Sequence, residues 1–320
     1  MVVKVYETWE GIKERYASLM VGLGNFDGVH LGHRQLISTM VATARERKAT
    51  PAVFTFHPHP LAVLDPEHAP LLLLTPRAKE RIMCRLGVEV LLRVPFTVEF
   101  ARISPREFVE EVLFRGLGVK AVFVGYNYTF GYRGEGNPEL LKEYGRRYGF
   151  EVHVMPPVTV DGQVVSSTLI RSLLLCGEVA EAARFMGYYP FVEGRVVTGD
   201  RRGAKLGFPT ANINPEEGIL IPAHGVYSVE VEVDGDYYIG VANIGTKPTF
   251  NTRNLRPNIE VHLLDFHGDL YGRQILVRFR RRLREERRFA SAAELIAQIQ
   301  KDILQARMEY SGEQRTYKYK

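Results

Sequence analysis

The stretch LMVGLGNFDGVHLGH, residues 19–33, sets the architecture of the first half of the chain. It opens with an apolar run of strand length, Leu19–Leu23, and a helical pattern follows it. Between the two, Gly24, Gly28 and Gly32 let the backbone approach a ligand closely because they carry no Cβ. A strand that turns through glycines into a helix presents unpaired N–H groups, which favour a bound phosphate.

The same stretch carries two histidines, His30 and His33, spaced as H-x-G-H at the predicted start of the helix. Imidazole N–H groups can donate to phosphate oxygens as negative charge builds up during a transfer reaction. Alone this four-residue pattern is weak evidence, but within residues 24–33 it indicates a site for the phosphates of a nucleotide.

Apolar runs and helical patterns alternate up to residue 155. The apolar runs are Leu19–Leu23, Ala52–Phe56, Val88–Val94, Lys120–Gly125 and Phe150–Met155. The helical patterns between them are Gly32–Arg47, Pro76–Leu86, Ser104–Phe114 and Pro138–Tyr148. This alternation predicts an α/β domain with an open parallel sheet, whose ligands bind at the carboxyl ends of the strands. Two shorter helices are predicted near Thr168–Leu175 and Val179–Met186.

After residue 190 the pattern changes to strands separated by turns rich in Gly, Asp and Pro. The predicted strands are Phe191–Thr198, Gly225–Val233, Asp236–Asn243, Asn258–Leu264 and Gln274–Arg282. They predict a small closed antiparallel barrel, with a hairpin turn at Asp234-Gly235. A final helix, about Ser291–Tyr310, has an apolar face formed by Leu295, Ile296, Ile299, Ile303 and Leu304 and is expected to pack on the barrel. We place the domain boundary near residue 187, which gives domains 1–187 and 188–320.

Composition fits two domains in a chain of 320 residues, 45% of them hydrophobic. The two cysteines, Cys84 and Cys176, lie far apart in apolar surroundings and are interpreted as buried thiols in a reducing compartment. We see neither a signal peptide nor a long apolar segment, so we expect a cytoplasmic protein with no membrane partner, monomeric or weakly homo-oligomeric.

The net charge of +5 is concentrated in the arginine-rich segment Arg278–Arg288. One interpretation is a patch that binds nucleic acid. The other, which we favour, is a strand edge and loop with solvated arginines, because no recognised nucleic-acid motif accompanies them. We therefore expect no nucleic-acid partner, and a basic chain also suits substrates that are polyphosphates.

Three further motifs of the first half carry groups suited to a nucleotide or a flat ligand. The segment VSSTLIR, residues 165–171, places hydroxyls and an arginine at a predicted helix start, which suits a triphosphate, although an ordinary N-cap is the alternative. FTFHPHP, residues 54–60, offers aromatic rings and rigid prolines to a flat ligand, and without further ligands nearby its two histidines are a poor metal site. In the loop 125–131, Asn127 could read a base.

In the second half, the run 199–212 combines Gly203 and Gly207, which can cradle phosphates, with Thr210 and Asn212, whose oxygens suit Mg²⁺. A glycine-rich hairpin without a ligand is the alternative. Glu260 alternates with Ile259 and Val261, so it faces away from them and could orient or deprotonate a hydroxyl that accepts a phosphoryl group. The alternative is a solvent-facing glutamate on an edge strand.

These motifs together resemble the bifunctional prokaryotic riboflavin kinase/FAD synthetase family, over residues 19–302. The motifs that carry the resemblance are GNFDGVHLGH, FHPHP, SSTLIR, GFPTAN, GVY at 225–227, NIGTKPT at 243–249, LLDF at 263–266 and LYG at 270–272. The resemblance implies a Rossmann-like nucleotidyltransferase domain that transfers AMP from ATP to FMN, and a barrel that phosphorylates riboflavin with ATP and Mg²⁺.

The resemblance also implies residue roles in the nucleotidyltransferase domain. His30 and His33 match the catalytic histidines, and Asn25, Asp27 and Gly32 match the rest of their loop. ATP would further contact the second nucleotide motif, formed by Ser167, Thr168 and Arg171. The flavin pocket would include Pro58 and Pro60, with Asn127 nearby, although many members of the family carry Asp at the position of Asn127.

For the kinase domain, the resemblance implies that Glu260 is the catalytic base. Nucleotide binding would involve Gly203, Gly207, Pro209, Thr210 and Asn212, with Thr210 and Asn212 also holding the metal. Ala204 and Lys205 stand where this loop often holds arginine.

Two other functions compete with this one. The chain could be a flavin- or nucleotide-binding regulator descended from the family, but every motif that the two reactions need is intact. It could also transfer AMP to another acceptor, such as pantetheine phosphate or nicotinamide mononucleotide, but such enzymes have no reason to carry the GFPTAN barrel.

Overall fold

The computed structural model describes residues 2–199, 203, 206–246 and 257–312, with the side chains of 246, 311 and 312 left out. The chain forms two compact units, Met1–Ser166 and Ser167–Lys320. The domain boundary near residue 187 stays a prediction. The motif residues 247–249 and the loop residues 204 and 205 lie outside the described ranges.

The first unit is an α/β unit. Its strands are β1 (Lys4–Tyr6), β2 (Leu19–Leu23), β3 (Thr50–Phe56), β4 (Val90–Val94), β5 (Val119–Gly125), β6 (Glu151–Met155), β7 (Thr159–Val160) and β8 (Gln163–Val164). Its helices are α1 (Ile12–Arg15), α2 (Leu31–Glu46), α3 (Pro60–Leu64), α4 (Pro76–Arg85), α5 (Pro105–Glu107), which continues as a π-helix over Phe108–Gly116, and α6 (Pro138–Tyr148).

Six parallel strands form the main sheet in the order β1-β4-β3-β2-β5-β6, which confirms the predicted architecture. The central strand β2 is buried along its whole length, as expected for a strand covered by helices on both faces. The strand order reverses at β2, since β3 lies on one side of it and β5 on the other. Ligands of such sheets bind at the carboxyl ends beside this reversal, where the stretch 24–33 begins.

The second unit begins with two helices, α7 (Ser167–Cys176) and α8 (Val179–Met186). Its strands are β9 (Phe191–Val197), β10 (Ala211–Pro215), β11 (Gly225–Val233), β12 (Asp236–Thr246), β13 (Pro257–Leu263) and β14 (Gln274–Arg284), and its last helix is α9 (Ala292–Gly312). The strands close into a barrel in the order β10-β13-β12-β11-β14-β9, as predicted. Asp234 and Gly235 form the predicted two-residue hairpin turn, both with positive φ.

Arginines of the segment Arg278–Arg288 form ion pairs with carboxylates of the same chain. Arg278 is 4% exposed and contacts Glu230 at 3.3 Å and also Glu232. Arg284 pairs with the buried Asp302 of α9 at 2.9 Å. These contacts favour the structural interpretation of the segment over a nucleic-acid patch, because a paired arginine has less charge to offer a phosphate backbone.

Three details of the sequence interpretation are wrong. Cys176, the last residue of α7, is exposed, as is its neighbour Leu175, and Cys84 is half-buried. On α9, Leu304 is 60% exposed and does not belong to the face that contacts the barrel. That face instead includes the buried Ala306 and the polar Asp302. Across the described residues, no helix is both long and apolar enough to cross a lipid bilayer.

Candidate functional site

The loop between β2 and α2 holds a sequence of unusual backbone angles. Phe26, Gly28 and Val29 have φ of 48°, 80° and 33°. Positive φ is costly for a side chain with a Cβ, and most of all for a β-branched one such as Val29. Strain of this kind persists only where surrounding contacts hold it, and it clusters at functional sites.

Three hydrogen bonds to Asn25 and Asp27 hold this loop. The carboxylate of Asp27, 3% exposed, accepts the backbone N–H of Leu73 at 3.1 Å. The backbone carbonyl of Asn25 accepts hydrogen bonds from the Thr55 hydroxyl at 3.0 Å and from the Lys79 ammonium at 2.8 Å. The predicted loop residues Asn25 and Asp27 therefore fix the backbone, since these contacts use the carbonyl of the first and the carboxylate of the second.

The two predicted catalytic histidines lie against each other at the start of α2. Their rings stack with centroids 3.6 Å apart. His30 is the N-cap, and its Nδ1 accepts the backbone N–H of His33 at 3.4 Å. Because Nδ1 is the acceptor, the neutral ring of His30 carries its proton on Nε2, where it can donate to a ligand. Gly32 lies beside this ring: a Cβ added at Gly32 would stand 3.4 Å from Cε1 and Nδ1 of His30.

The surroundings of His33 favour its neutral form. Burial lowers its pKa well below the usual value, and the charges of His30 and Lys79 lower it further. Its Nδ1 is buried, and no group among the described residues hydrogen-bonds to it. A buried imidazole of this kind gains a partner when an anion binds, which suits a phosphate that carries more charge in the transition state.

A pocket opens beside this loop at the carboxyl ends of β3 and β4. Asn25, His57 and His59 line it together with Lys79 and Arg93. The predicted flavin-pocket residues belong to the same segment: Pro58 follows a cis peptide bond, and Pro60 begins α3. The Nδ1 of His59 caps α3 by accepting the N–H of Leu61 at 3.2 Å, so that nitrogen serves the helix.

The remaining predicted residues of the nucleotidyltransferase lie in two places. Asn127 is exposed just after β5. It lies at the end of the sheet where residues 24–33, here called the histidine loop, follow β2. Ser167, Thr168 and Arg171 occupy the first turns of α7, which belongs to the second unit. Their membership of the ATP site stays a prediction.

The barrel brings Asn212 and Glu260 together, as the sequence interpretation requires of one site. Glu260 on β13 stands directly opposite Asn212 on β10 and Asn243 on β12. Directly opposed residues have their Cβ atoms about 5 Å apart on one face of a sheet. The flanking Ile259 and Val261 are fully buried, so this row lies on the opposite face. Because the barrel is closed, β13 is not an edge strand.

Neighbouring groups fix this row. Asn258 donates from Nδ2 to the carboxylate of Glu260 at 2.8 Å, which orients it. Asn212 is 6% exposed, and Gly199 packs so closely on its amide that a Cβ there would overlap it. Sequence reasoning missed Asn258, although its position two residues before Glu260 on the same strand face was a usable signal.

The loop before β10 is held by backbone contacts. The carbonyl of Gly203 accepts the N–H groups of Leu206 and Phe208 at 3.0 and 2.9 Å, and Gly207 has φ of 90°. The carbonyl of Pro209 accepts from Nδ1 of His262 at 2.8 Å. Thr210 is half-buried two residues before Asn212. This loop leads directly into β10, whose Asn212 stands opposite Glu260, and the shared site of the residues 203–212 stays a prediction.

A second carboxylate lies near this row, and the sequence interpretation did not assign it. Glu286, which follows β14, accepts from Nδ2 of Asn243 at 3.4 Å. It also covers Gly245, where a Cβ would collide with its carboxylate. No local pattern predicts this placement, since Glu286 lies in the arginine-rich segment, 43 residues after Asn243.

Two family models match successive parts of the chain. The family model for FAD synthetase matches residues 12–169, and that for riboflavin kinase matches residues 186–310. The bifunctional riboflavin kinase/FMN adenylyltransferase of Bacillus subtilis (strain 168) is 40% identical over 304 residues, 94% of this chain and 95% of that protein. The protein of the same name from Escherichia coli (strain K12) is 41% identical over 291 residues, 91% of this chain and 92% of that protein.

The chain belongs to the bifunctional riboflavin kinase/FMN adenylyltransferase family. A solved structure described as a macrolide-efflux protein from Streptococcus pneumoniae has the same fold, with a TM-score of 0.88 and 33% identity, covering 96% of this chain and 99% of that one. In this family member, the histidine loop falls in the part matched by FAD synthetase and the Asn212–Glu260 row in the part matched by riboflavin kinase.

Proposed function

We propose that the second unit phosphorylates riboflavin to FMN with ATP, and that the first adenylylates FMN to FAD with release of pyrophosphate. The observation that carries the proposal is that each unit holds one preorganised cluster of polar side chains suited to phosphate chemistry. One is the stacked pair His30 and His33 at the start of α2, and the other is Glu260 opposite Asn212 on the barrel. The small molecules riboflavin, FMN and ATP are the proposed partners.

In the adenylyl transfer, a phosphate oxygen of FMN attacks the α-phosphorus of ATP. The bond from that phosphorus to the bridging oxygen breaks, and pyrophosphate leaves with its electron pair. His30, through Nε2–H, and the ring of His33 are proposed to donate to the oxygens that gain charge. Each such preorganised donor contributes about 10²–10³-fold in rate. Ser167, Thr168 and Arg171 are proposed to hold the triphosphate.

In the kinase reaction, the ribityl 5′-hydroxyl attacks the γ-phosphorus and ADP leaves. Glu260 is proposed to accept the hydroxyl proton, and Asn258 holds its carboxylate in place. Asn212, which stands opposite Glu260, is proposed to bring the phosphate end of ATP to the same face of the barrel. Positioning and charge stabilisation supply most of the rate in such transfers.

Mg²⁺ is the proposed metal of the kinase site. The Thr210 hydroxyl and the amide oxygen of Asn212 are hard oxygen donors, and Mg²⁺ normally combines few protein ligands with substrate phosphates and water. The buried, fixed amide of Asn212 fits that use. When bound, the ion would neutralise charge on the phosphates of ATP.

The first test is a time course with purified protein, riboflavin, ATP and Mg²⁺, with the flavins separated by chromatography. FMN should appear first and FAD afterwards. A second reaction started from FMN should give FAD without a lag. FMN as the final product would contradict the adenylyl transfer, and unchanged riboflavin would instead support a binding regulator.

A further inference from the structure

Lys79 occupies a position that is unfavourable for a lysine. It lies in the first turn of α4, which begins after the N-cap Thr75. The positive end of a helix repels a cation, so acidic residues are usual there. The side chain is also half-buried, whereas lysines normally extend their charge into water. A placement that costs free energy in two ways indicates that the charge serves a purpose.

The contacts of Lys79 compensate its charge only in part. Its ammonium donates to the carbonyl of Asn25 at 2.8 Å, which leaves further N–H donors. Asp27 is the carboxylate that stabilises this charge, but its oxygens accept from the N–H of Leu73. Burial lowers the pKa of Lys79 to about 8, Asp27 opposes that shift, and Arg93 adds to it. A bound anion would balance the part of the Lys79 charge that these contacts leave uncompensated.

The pocket beside Lys79 has the charge and location to receive that anion. Arg93, His57 and His59 line it together with Lys79. Arg93 is on β4 and pairs with Glu7 at 3.2 Å, so one acidic group balances part of its charge. The pocket adjoins the loop that leads to His30, because Asn25 of that loop lines it and accepts from Lys79 at 2.8 Å.

We propose that Lys79 binds the phosphate of the incoming FMN and orients its attacking oxygen towards the α-phosphorus of ATP. The inference rests on the proposed adenylyl transfer and adds a residue in direct contact with the substrate. Lys79 stays charged throughout, so no proton moves to or from it. The bond that forms joins the FMN phosphate to the α-phosphorus, and the bond that breaks releases pyrophosphate.

A purely structural role is the competing explanation, since Lys79 also holds the loop through Asn25. The two roles predict different kinetics. Loss of a phosphate contact raises KM for FMN and leaves KM for ATP unchanged. If Lys79 only stabilises the histidine loop, its loss lowers kcat at saturating concentrations of both substrates and leaves KM for FMN unchanged.

The deciding variant is Lys79→Gln, because it keeps a polar side chain with N–H donors but carries no charge. Lys79→Arg keeps the charge. The matched control is Arg77→Gln, which removes an equal charge from an exposed position of the same helix turn. FAD formation would be measured with FMN varied at saturating ATP, and then with ATP varied at saturating FMN.

We expect Lys79→Gln to raise KM for FMN at least tenfold, with KM for ATP within twofold of the unaltered enzyme. Lys79→Arg should raise KM for FMN less than threefold, and Arg77→Gln should not change it. An unchanged KM in Lys79→Gln would overturn the proposal, as would equal impairment of the Arg and Gln variants. If Lys79→Gln does not fold, a tenfold rise in Lys79→Arg overturns it and a rise below threefold supports it. Failure of the unaltered protein to adenylylate FMN would instead refute the proposed function.

Discussion

The histidine loop and the Asn212–Glu260 row, the two proposed phosphate sites, carry opposite kinds of polar group. The first site offers donors and cations: two imidazoles, a helix start and the Lys79 pocket. The second offers oxygen acceptors, namely the carboxylate of Glu260 and the amide oxygen of Asn212. Donors can contact phosphate oxygens directly, whereas acceptors need a cation or a substrate hydroxyl between them and the phosphate. On the proposed assignment, one chain would stabilise phosphate charge in two reactions with opposite kinds of group.

The largest effect is expected for His33→Ala. It removes a preorganised donor from the charge-developing centre, and FAD formation from FMN should fall about 10³-fold. FMN formation from riboflavin should stay within twofold, because His33 lies in the other unit. Separate initial rates for each reaction measure this, and a parallel loss of both would refute two independent sites.

The reciprocal variant is Glu260→Gln. It keeps the shape and removes the proton acceptor, so FMN formation should fall about 10²-fold. Adenylylation of added FMN should continue at the original rate. Asp269→Asn, an exposed carboxylate outside the row, serves as the control. Retained kinase activity would show that Glu260 is only a surface glutamate.

The strained loop predicts a smaller effect, on stability. At Gly28, with φ of 80°, a Cβ would stand 2.7 Å from the buried Leu73 side chain. Gly28→Ala should therefore lower the free energy of unfolding by about 3 kcal/mol, from αL strain and overpacking together. Gly149→Ala is the matched control, because φ is 78° and no atom lies within 4 Å of its Cβ. It should cost about 1 kcal/mol from αL strain alone, as measured by urea unfolding.

The smallest effect is expected for the pocket beside Lys79, as a pH dependence of kcat/KM for FMN. The charged and titratable side chains near the Lys79 ammonium are Asp27, His33, His57, His59 and Arg93. The lowered pKa values of His33 and His57 leave both neutral above pH 7. Lys79, with a pKa of about 8, is charged below that pH and loses its proton above it. The kcat/KM for FMN should fall about threefold to tenfold between pH 7.5 and 9, whereas Lys79→Arg should show a flat profile.

Sequence reasoning succeeded where the signal is local. The β2–α2 stretch and the Asp234-Gly235 hairpin were predicted because adjacent residues determine their conformation. Strand β1 was missed, since its three residues are too few for a periodic pattern. Strand β10 was missed because its first two residues belong to a motif interpreted as a loop, and only pairing with β9 and β13 makes it a strand.

The same limit applies to the sites. His30 and His33 are neighbours in sequence, so their site was visible as a motif. Lys79 reaches Asn25 across 54 residues, and Glu286 reaches Asn243 across 43. These contacts of Lys79 and Glu286 depend on the strand order of the sheet and on closure of the barrel, which no local pattern encodes.

Strand order also has a consequence for how the protein is made on the ribosome. Leu19 of β2 pairs with Val119 of β5, and Lys4 of β1 pairs with Val90 of β4. Closing loops of that length precedes any gain from the pairing, so such sheets form slowly. Strand β2 can therefore pair with β3 once residue 54 has emerged, but its other side stays unpaired until β5 has been synthesised. Strands β11 and β12, joined by a two-residue turn, can pair as soon as they are synthesised.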